Sequence, residues 1–384
     1  MDSITHGFIG ALVAQLGLRQ RIGRDATWAA AIAAMLPDLD ILVAPMLSLA
    51  GMGDSFSGLK IHRGITHSIV AMPFYSLIIA GIWWLIRKKV RNRGNNNNGL
   101  AWQGEITPSA AVGPKPPQKP TPFRLLYICI LLPVLSHALP DFCTSYGVQL
   151  FNPLSAARYS CDSIPIIDII FTSMLMLSLL ACYVVRKIWP PARRATFIIA
   201  AAALVLGLGY IAAGRHMHNA ALAKAVDVCE KRGLLQPSQI VRKDAYPAIG
   251  SIFLWRAVIE TGEAWTVARI HHFGGNDAGI RIASAKKVEN SWVERARQLA
   301  DFQTFDWFTM GHSRALYSRA GNHHVVEFQD VRYGRTTESL ASFWIYRVIF
   351  DDGGNLIESE FTHSPRQAGD TRSIRRIWDD MWNP

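Results

Sequence analysis

Two histidines, His62 and His67, stand five positions apart just before a long apolar run. Imidazole nitrogens bind divalent metals at neutral pH. Gly64 lies between them and lets the chain bend, so both rings could face one point. Three other short stretches, each at the edge of an apolar run, offer histidine or aspartate. The candidate metal ligands are His6, Asp38, Asp40, His62, His67, His137 and Asp141.

This mixture of imidazole and carboxylate suits Zn²⁺ best, with Mn²⁺ or Fe²⁺ as alternatives, whereas Ca²⁺ prefers all-oxygen sites. His137 and Asp141 are four positions apart and would share one face of a helix. Asp38 and Asp40 would share a face of an extended segment. The set exceeds what one tetrahedral ion needs, so two or more ions could be held. Paired ions can clamp a phosphoester and activate water.

The composition indicates a membrane protein. Half of the 384 residues are hydrophobic and only 18% are charged. The net charge of +11 could indicate a nucleic-acid partner, but the basic residues cluster beside apolar runs, as the positive-inside rule expects of cytoplasmic loops. We therefore expect no nucleic-acid partner. The clusters fall at residues 19–24, 87–93 and 186–194.

Six apolar runs organise the first half of the chain. Two of them, residues 4–18 and 27–36, are shorter than the roughly 20 residues of a spanning helix. They predict a re-entrant hairpin of short helices. The four longer runs predict spanning helices at residues 69–86, 125–139, 164–185 and 196–213.

Composition and proline positions predict two breaks in this helical part. The segment 87–123 is rich in Asn, Pro and Lys, so we predict a flexible cytoplasmic loop. Proline disfavours helical geometry at the residue before it. Pro37 and Pro140 are therefore predicted to end their helices, with Asp38 and Asp141 just beyond.

The charge rule also predicts an orientation. With the basic clusters inside, every stretch that carries a candidate ligand reaches the outer face. The same alternation places the C-terminal half on the outer, periplasm-like side.

The sequence changes character near residue 215. We predict a membrane-embedded domain at residues 1–214 and a small soluble α+β domain with an antiparallel sheet at residues 215–384. The fold class is therefore mainly α, followed by α+β. The strand-like segments are residues 252–260, 264–271, 324–331 and 343–350.

Three residues are predicted to take part in catalysis. Asp40 could bridge two ions. Arg63 could hold a substrate phosphate with its planar fork, or simply cap a helix. Asp168 lies near the outer end of an apolar run, where an acid is a functional candidate; it could support a histidine, add a ligand, or reach the surface by snorkelling.

Cys143 and Cys161 fall in one loop between two helices. They could form a disulfide in an oxidising compartment or remain two free thiols.

The ligand stretches together resemble the bacterial inner-membrane family of metal-dependent hydrolases typified by YdjM and YbcI. The resemblance covers roughly residues 1–190, and longer members carry a C-terminal extension. That family is distantly similar to zinc-dependent phospholipase C and P1-type nucleases, which implies hydrolysis of phosphoesters. The matching motifs are Thr5-His6-Gly7, Leu36-Pro37-Asp38-Leu39-Asp40, His62-Arg63-Gly64-Ile65-Thr66-His67-Ser68, His137-Ala138-Leu139-Pro140-Asp141 and Thr144-Ser145-Tyr146-Gly147.

The function that we expect is metal-dependent hydrolysis at the outer face of a bacterial inner membrane, with a phospholipid or lipid-linked phosphate as substrate. The alternative is a metal-stabilised scaffold or partner-binding protein without catalysis. A metal transporter is a weaker idea, because the ligands lie at helix ends rather than along a path through the midplane.

Overall fold

The computed structural model describes residues 1–100, 120–189, 192–274 and 277–363. Within these ranges the chain is mainly helical up to Lys231 and then forms two antiparallel sheets with two short helices between them. The helices are α1 Ser3–Gln15, α2 Leu18–Ile22, α3 Asp25–Met35, α4 Val43–Leu49, α5 Ser57–Ile61, α6 Met72–Leu100, α7 Phe123–Phe142, α8 Ile169–Ile188, α9 Arg193–Lys231, α10 Ser291–Arg297 and α11 Ala300–Thr309, with 3-10 turns at Leu36–Leu42 and Ile65–His67.

Four described stretches are long and apolar enough to cross a membrane, which agrees with the expected number. Three of them match predicted spans. The first one differs: α3, the 3-10 turn and α4 together give 25 apolar residues, because Pro37 starts the 3-10 turn and the helical path continues through it. The predicted span at 69–86 qualifies only within a helix pair bent by 75°. The four stretches are Asp25–Leu49, Phe123–Phe142, Ile169–Ile188 and Arg193–Lys231.

The hairpin of α1 and α3 carries the first ligands. The side chain of Asp2 caps α1 by accepting from the Thr5 amide at 3.0 Å. Gly10 lets the two helices approach closely, because a Cβ atom there would lie 2.4 Å from the Ala30 carbonyl. A helix of 13 residues is about 20 Å long, against roughly 30 Å of membrane hydrocarbon. Helix α1 is therefore too short to cross the membrane by itself.

Two local predictions are wrong. Asp141 does not follow a helix end; it lies in the last turn of α7, which contains Pro140 and continues to Phe142. A proline removes only one amide donor there, and packing of the surrounding helices keeps the turn. Residues 87–100 are helical, because α6 continues through the basic cluster, where Arg and Lys favour helix. The rest of the predicted loop, up to residue 119, lies outside the described residues.

The C-terminal strands form two four-stranded meanders, in the orders β1-β2-β3-β4 and β5-β6-β7-β8. Helix α9 packs on the first sheet, and α10 and α11 pack on the second. The predicted boundary at residue 214 falls inside α9, which continues to Lys231. The strands are β1 Ile240–Pro247, β2 Leu254–Thr261, β3 Ala264–His271, β4 Arg281–Lys286, β5 Ser313–Ala320, β6 His323–Asp330, β7 Trp344–Asp351 and β8 Leu356–His363.

The second sheet packs against the segment that follows α7. Tyr146 and Phe56 belong to the same apolar core as Phe308 and Phe328 of the C-terminal part. The buried guanidinium of Arg332 donates from Nη1 to the carbonyl of Ser145 at 3.0 Å. The C-terminal part therefore covers the loop beside the ligand stretches.

Candidate metal centre

The structure brings four residues from three separate chain segments to one buried point. His6 comes from the first turns of α1, Asp38 from the 3-10 turn after α3, and His137 and Asp141 from the end of α7. One donor atom from each of these four residues lies within 4.8 Å of all the others. The sequence-predicted convergence is therefore present in the described residues.

His67 joins this group as a further candidate. Its Nε2 lies 3.1 Å from Oδ2 of Asp141 and 3.4 Å from Oδ1 of Asp38. The Nε2 of His137 lies 3.2 Å and 3.5 Å from the same two oxygens. In a tetrahedral zinc site, ligand atoms about 2.0 to 2.1 Å from the ion are about 3.3 Å apart. The four nitrogen–oxygen distances thus match the ligand spacing of a small divalent cation.

Hydrogen bonds on the far sides of the rings fix which nitrogen faces the centre. Nδ1 of His137 donates to the carbonyl of Ala34 at 2.7 Å. Nδ1 of His67 lies 3.0 Å from the Thr66 hydroxyl and 3.3 Å from Asp40 Oδ2. Such contacts set the tautomer of metal-binding histidines. Both Nε2 atoms then face the carboxylates.

These inward atoms lack partners. Among the described residues, Nε2 of His67, Nε2 of His137 and Oδ2 of Asp141 are buried and accept or donate no hydrogen bond. Buried polar atoms are nearly always satisfied, so such orphans require an explanation. A buried polar atom without a hydrogen bond is costly, and a cation between these nitrogens and oxygens removes that cost. The residues therefore fit a metal ion.

The other oxygen of Asp141 faces a different set of groups. Its Oδ1 lies 3.2 Å from Nε2 of His6 and 3.0 Å from Nη2 of Arg63, and it also contacts the α-amino group of Met1. Nδ1 of His6 is buried and makes no hydrogen bond among the described residues. Its ring stacks on that of His137 with centroids 3.6 Å apart.

Asp40 lies on the outer side of the histidines. Its oxygens accept from Nδ1 of His62 at 2.7 Å, from the backbone amide of Arg63 at 3.0 Å and from the Thr66 hydroxyl at 2.7 Å. These partners occupy both oxygens. The described contacts make Asp40 a positioning residue for His62 and His67, while its predicted role as a metal ligand stays a prediction.

His62 is the most accessible of the seven candidates. Its side chain is 21% exposed, and that of Asp38 is 12% exposed. Its ring packs edge-on against Tyr146, with centroids 5.2 Å apart. With Nδ1 bound to Asp40, Nε2 of His62 is left at the more open side of the cluster. The remaining five candidates are buried, namely His6, Asp40, His67, His137 and Asp141.

Arg63 is held beside the cluster. Its guanidinium pairs with Asp141, donates to the Thr144 hydroxyl at 2.7 Å and lies over the Tyr146 ring. Its Nε atom is buried without a partner among the described residues. The positive φ of 58° at Arg63 turns the chain between the two histidine-bearing turns.

Asp168 has a different environment. It caps α8 by accepting from the Phe171 amide at 2.8 Å, and both its oxygens accept from the Tyr210 hydroxyl. No hydrogen bond or ion pair described for it reaches the cluster. Its catalytic role remains a prediction.

Sequence reasoning missed three supporting groups. These are the Ala34 carbonyl, the Thr66 hydroxyl and the Ser3 hydroxyl, which donates to Asp38 Oδ2 at 2.5 Å. Ser3 stands one helical turn before His6, and Thr66 lies inside the histidine motif, so spacing could have suggested both. Nothing in the sequence marks the Ala34 carbonyl.

Fold and site together define a multi-pass membrane protein with a buried His/Asp cluster at the ends of its helices. The sequence profile of the family described as YdjM inner membrane protein matches residues 1–216, which include all seven candidate ligands. The chain therefore belongs to the YdjM inner membrane protein family. No curated protein and no solved structure matches it. The two sheets lie beyond the matched region.

Proposed function

We propose that this protein is a membrane-bound, metal-dependent hydrolase that cleaves a phosphoester bond in a phospholipid or lipid-linked phosphate. The observation that carries the proposal is the pair of orphaned Nε2 atoms, on His67 and His137, aimed at Asp38 and Asp141. A site that needs a cation in a protein interior is the starting point for metal-assisted hydrolysis.

His6, Asp38, His67, His137 and Asp141 would hold the metal. Two of the imidazoles and the two carboxylates would make a four-ligand site that favours Zn²⁺, with Mn²⁺ or Fe²⁺ as alternatives. The third imidazole is a fifth ligand and allows a second ion. When bound, such an ion supplies a Lewis acid and lowers the pKa of bound water.

The chain supplies groups for the proton and for the phosphate. Asp40 holds Nδ1 of His62, so Nε2 of that ring can take or give a proton at the open side of the cluster. The guanidinium of Arg63 is buried and its fork matches phosphate oxygens. Thr144 and Asp141 hold that fork in place.

The surroundings of the cluster favour a lipid substrate. Each of the four ligand-bearing stretches also presents one large aliphatic side chain outward, and these side chains are between 45% and 61% exposed. Apolar surface of this kind in a membrane protein contacts acyl chains. The basic clusters favour a cytoplasmic position for the opposite ends of the helices, so we place the cluster and the C-terminal part toward the periplasm. The four residues are Ile4, Leu39, Ile65 and Leu139.

One observation favours a second candidate function. Five of the seven candidate residues are buried, and closed sites with every position filled by protein are structural rather than catalytic. The alternative is therefore a metal-stabilised membrane scaffold whose outer sheets bind a partner.

The deciding experiment measures metal content and hydrolysis on the same detergent-purified protein. Wild type is compared with the double variant His62→Ala/His67→Ala, and with His324→Ala as a control for loss of a histidine elsewhere. Metal content is measured by elemental analysis. The release of phosphate-containing products from glycerophospholipid vesicles is then measured in the presence of Zn²⁺ or Mn²⁺.

Stoichiometric metal with metal-dependent hydrolysis in wild type and in the control, both lost in the double variant, supports the proposal. Metal without hydrolysis of any phosphoester favours the scaffold. Absence of metal from wild type after reconstitution overturns both.

A further inference from the structure

Cys143 and Cys161 come together beside the metal centre without taking part in it. Cys143 follows α7 directly and is 2% exposed, whereas Cys161 is half-buried. The backbone ties their segments together: the Cys161 amide donates to the Phe142 carbonyl at 2.8 Å, and the Ser163 amide donates to the Cys143 carbonyl at 2.8 Å. The two cysteines therefore lie on adjacent backbone segments, and the Cys161 thiol lies 3.1 Å from the Ser163 hydroxyl.

The remaining cysteines provide a contrast. Cys129, Cys182 and Cys229 lie in three different helices, α7, α8 and α9, whereas Cys143 shares an apolar core with Cys182 and Cys229 but lies on a segment paired with that of Cys161. The sulfurs of Cys129 and Cys182 contact the backbone carbonyls of Ala26 and Thr196. Only Cys143 and Cys161 form a thiol pair in the described part of the chain. The group of metal-ligating side chains found there contains no sulfur, so this pair is not an extension of the metal centre.

We propose that Cys143 and Cys161 form a reversible disulfide, a modification site that secures the loop between α7 and α8. The oxidant is a second disulfide, either of a thiol-oxidising protein or of a small molecule such as oxidised glutathione. The thiolate of the more accessible Cys161 attacks it and releases one thiol. The Cys143 thiolate then attacks the mixed disulfide and releases the second thiol. Two protons leave the protein thiols, and the oxidant's disulfide takes up the two electrons.

The bond would stabilise the groups around Asp141. Cys143 lies two positions after Asp141 and next to Thr144, whose hydroxyl accepts from Arg63. The closed ring would include Tyr146, on which Arg63 and Arg158 both stack. It would also include Ser145, whose carbonyl binds Arg332 of the C-terminal part. A covalent link at this point therefore holds the rim of the metal centre against the second sheet.

The test uses the full chain in detergent, equilibrated with oxidised and reduced glutathione and then alkylated. We expect wild type to lose two alkylatable thiols and to yield one cross-linked peptide that joins Cys143 to Cys161, reversed by dithiothreitol. The midpoint of thermal unfolding should rise by about 5 °C on oxidation. Cys229→Ala, which removes a buried thiol elsewhere, should behave like wild type, and neither change should occur in Cys161→Ala.

Two results would overturn the proposal. In one, both thiols stay alkylatable at the most oxidising glutathione ratio. In the other, Cys161 forms a mixed disulfide with glutathione but no disulfide with Cys143. If Cys161→Ala does not fold, Cys143→Ser provides the same comparison. The peptide map of wild type alone separates all of these outcomes.

Discussion

Buried histidines occur in both halves of this molecule, but their hydrogen bonding differs. In the C-terminal half, the Tyr246 hydroxyl donates to Nε2 of His312 and Nδ1 donates to the Thr309 carbonyl. His324 lies between the Tyr317 hydroxyl and Asp352. Both nitrogens of each ring are satisfied. In the membrane half, by contrast, His67 and His137 each leave one buried nitrogen that faces carboxylates and makes no hydrogen bond.

This difference separates a structural histidine from a candidate ligand more clearly than the number of histidines does. A histidine paired with an aspartate has all its hydrogen bonds when its second nitrogen also has a partner, as at His324. When two rings direct nitrogens without hydrogen bonds at the same two carboxylates, the site has room for a further positive charge. A metal ion supplies that charge. The predictions below test this distinction.

The largest effect is expected from Asp141→Asn. Asp141 is the common partner of His6, His67, His137 and Arg63, and the substitution keeps its size while removing its charge. Metal affinity should fall by more than about 100-fold, since even groups outside the ligand sphere are worth 10- to 100-fold. Equilibrium dialysis against Zn²⁺ measures the change. Unchanged affinity would show that the orphaned atoms do not form a metal site.

The matched pair His67→Ala and His324→Ala tests the comparison directly. Both remove an imidazole next to an aspartate. We expect His67→Ala to abolish stoichiometric metal binding and His324→Ala to leave it intact, because only His67 has an unpartnered inward nitrogen. Elemental analysis after gel filtration gives both values. Equal losses in the two variants would mean that metal content reports general destabilisation.

Asp40→Asn should have an intermediate effect. Asp40 orients His62 and His67 from outside the cluster, so we expect metal affinity to weaken by about 10- to 100-fold while stoichiometry at saturating metal is unchanged. A Zn²⁺ titration separates affinity from stoichiometry. A reduced stoichiometry at saturation would instead make Asp40 a ligand.

The smallest effect concerns stability rather than metal. Burial, with a smaller contribution from Asp244, raises the pKa of Asp162 to about 7. Because the folded-state pKa lies above the unfolded value, this residue lowers stability as the pH rises from about 4 through 7. Asp162→Asn should stabilise the protein at pH 8 by about 2 to 4 kcal/mol and change little near pH 4. Thermal unfolding at both pH values tests this, and equal shifts at the two would contradict it.

The central strands could be predicted from the sequence, and the edge strands could not. The predicted strands at 252–260, 264–271, 324–331 and 343–350 correspond to β2, β3, β6 and β7, which are the inner strands of the two sheets. β2 and β3 are buried along most of their length and read as apolar runs, whereas β6 and β7 alternate buried and accessible residues, which is the usual pattern of a strand. Strands β1, β4, β5 and β8 are edges with mostly accessible residues, so their sequences lack that signal.

In the membrane half, the ligand types and their positions near the ends of apolar runs were readable from the sequence, because helix length and the location of basic clusters constrain where such residues can lie. The helical turn that contains Pro140 was not readable, because tertiary packing overrides a local proline preference. The continuation of α6 to Leu100 was missed for a related reason, since composition alone does not show where a helix ends.

The sequence by itself thus determined a membrane protein whose histidines and aspartates occupy four short stretches. The tertiary structure alone decided which of these residues face the centre of the cluster and which of them position other residues. His137 Nε2 faces the cluster because its Nδ1 binds the Ala34 carbonyl, 103 positions away along the chain. Asp40 lies behind His62 and His67, and Asp141 lies between the rings. A tautomer depends on the partner that the fold brings to the other nitrogen, and spacing along a chain does not encode that partner.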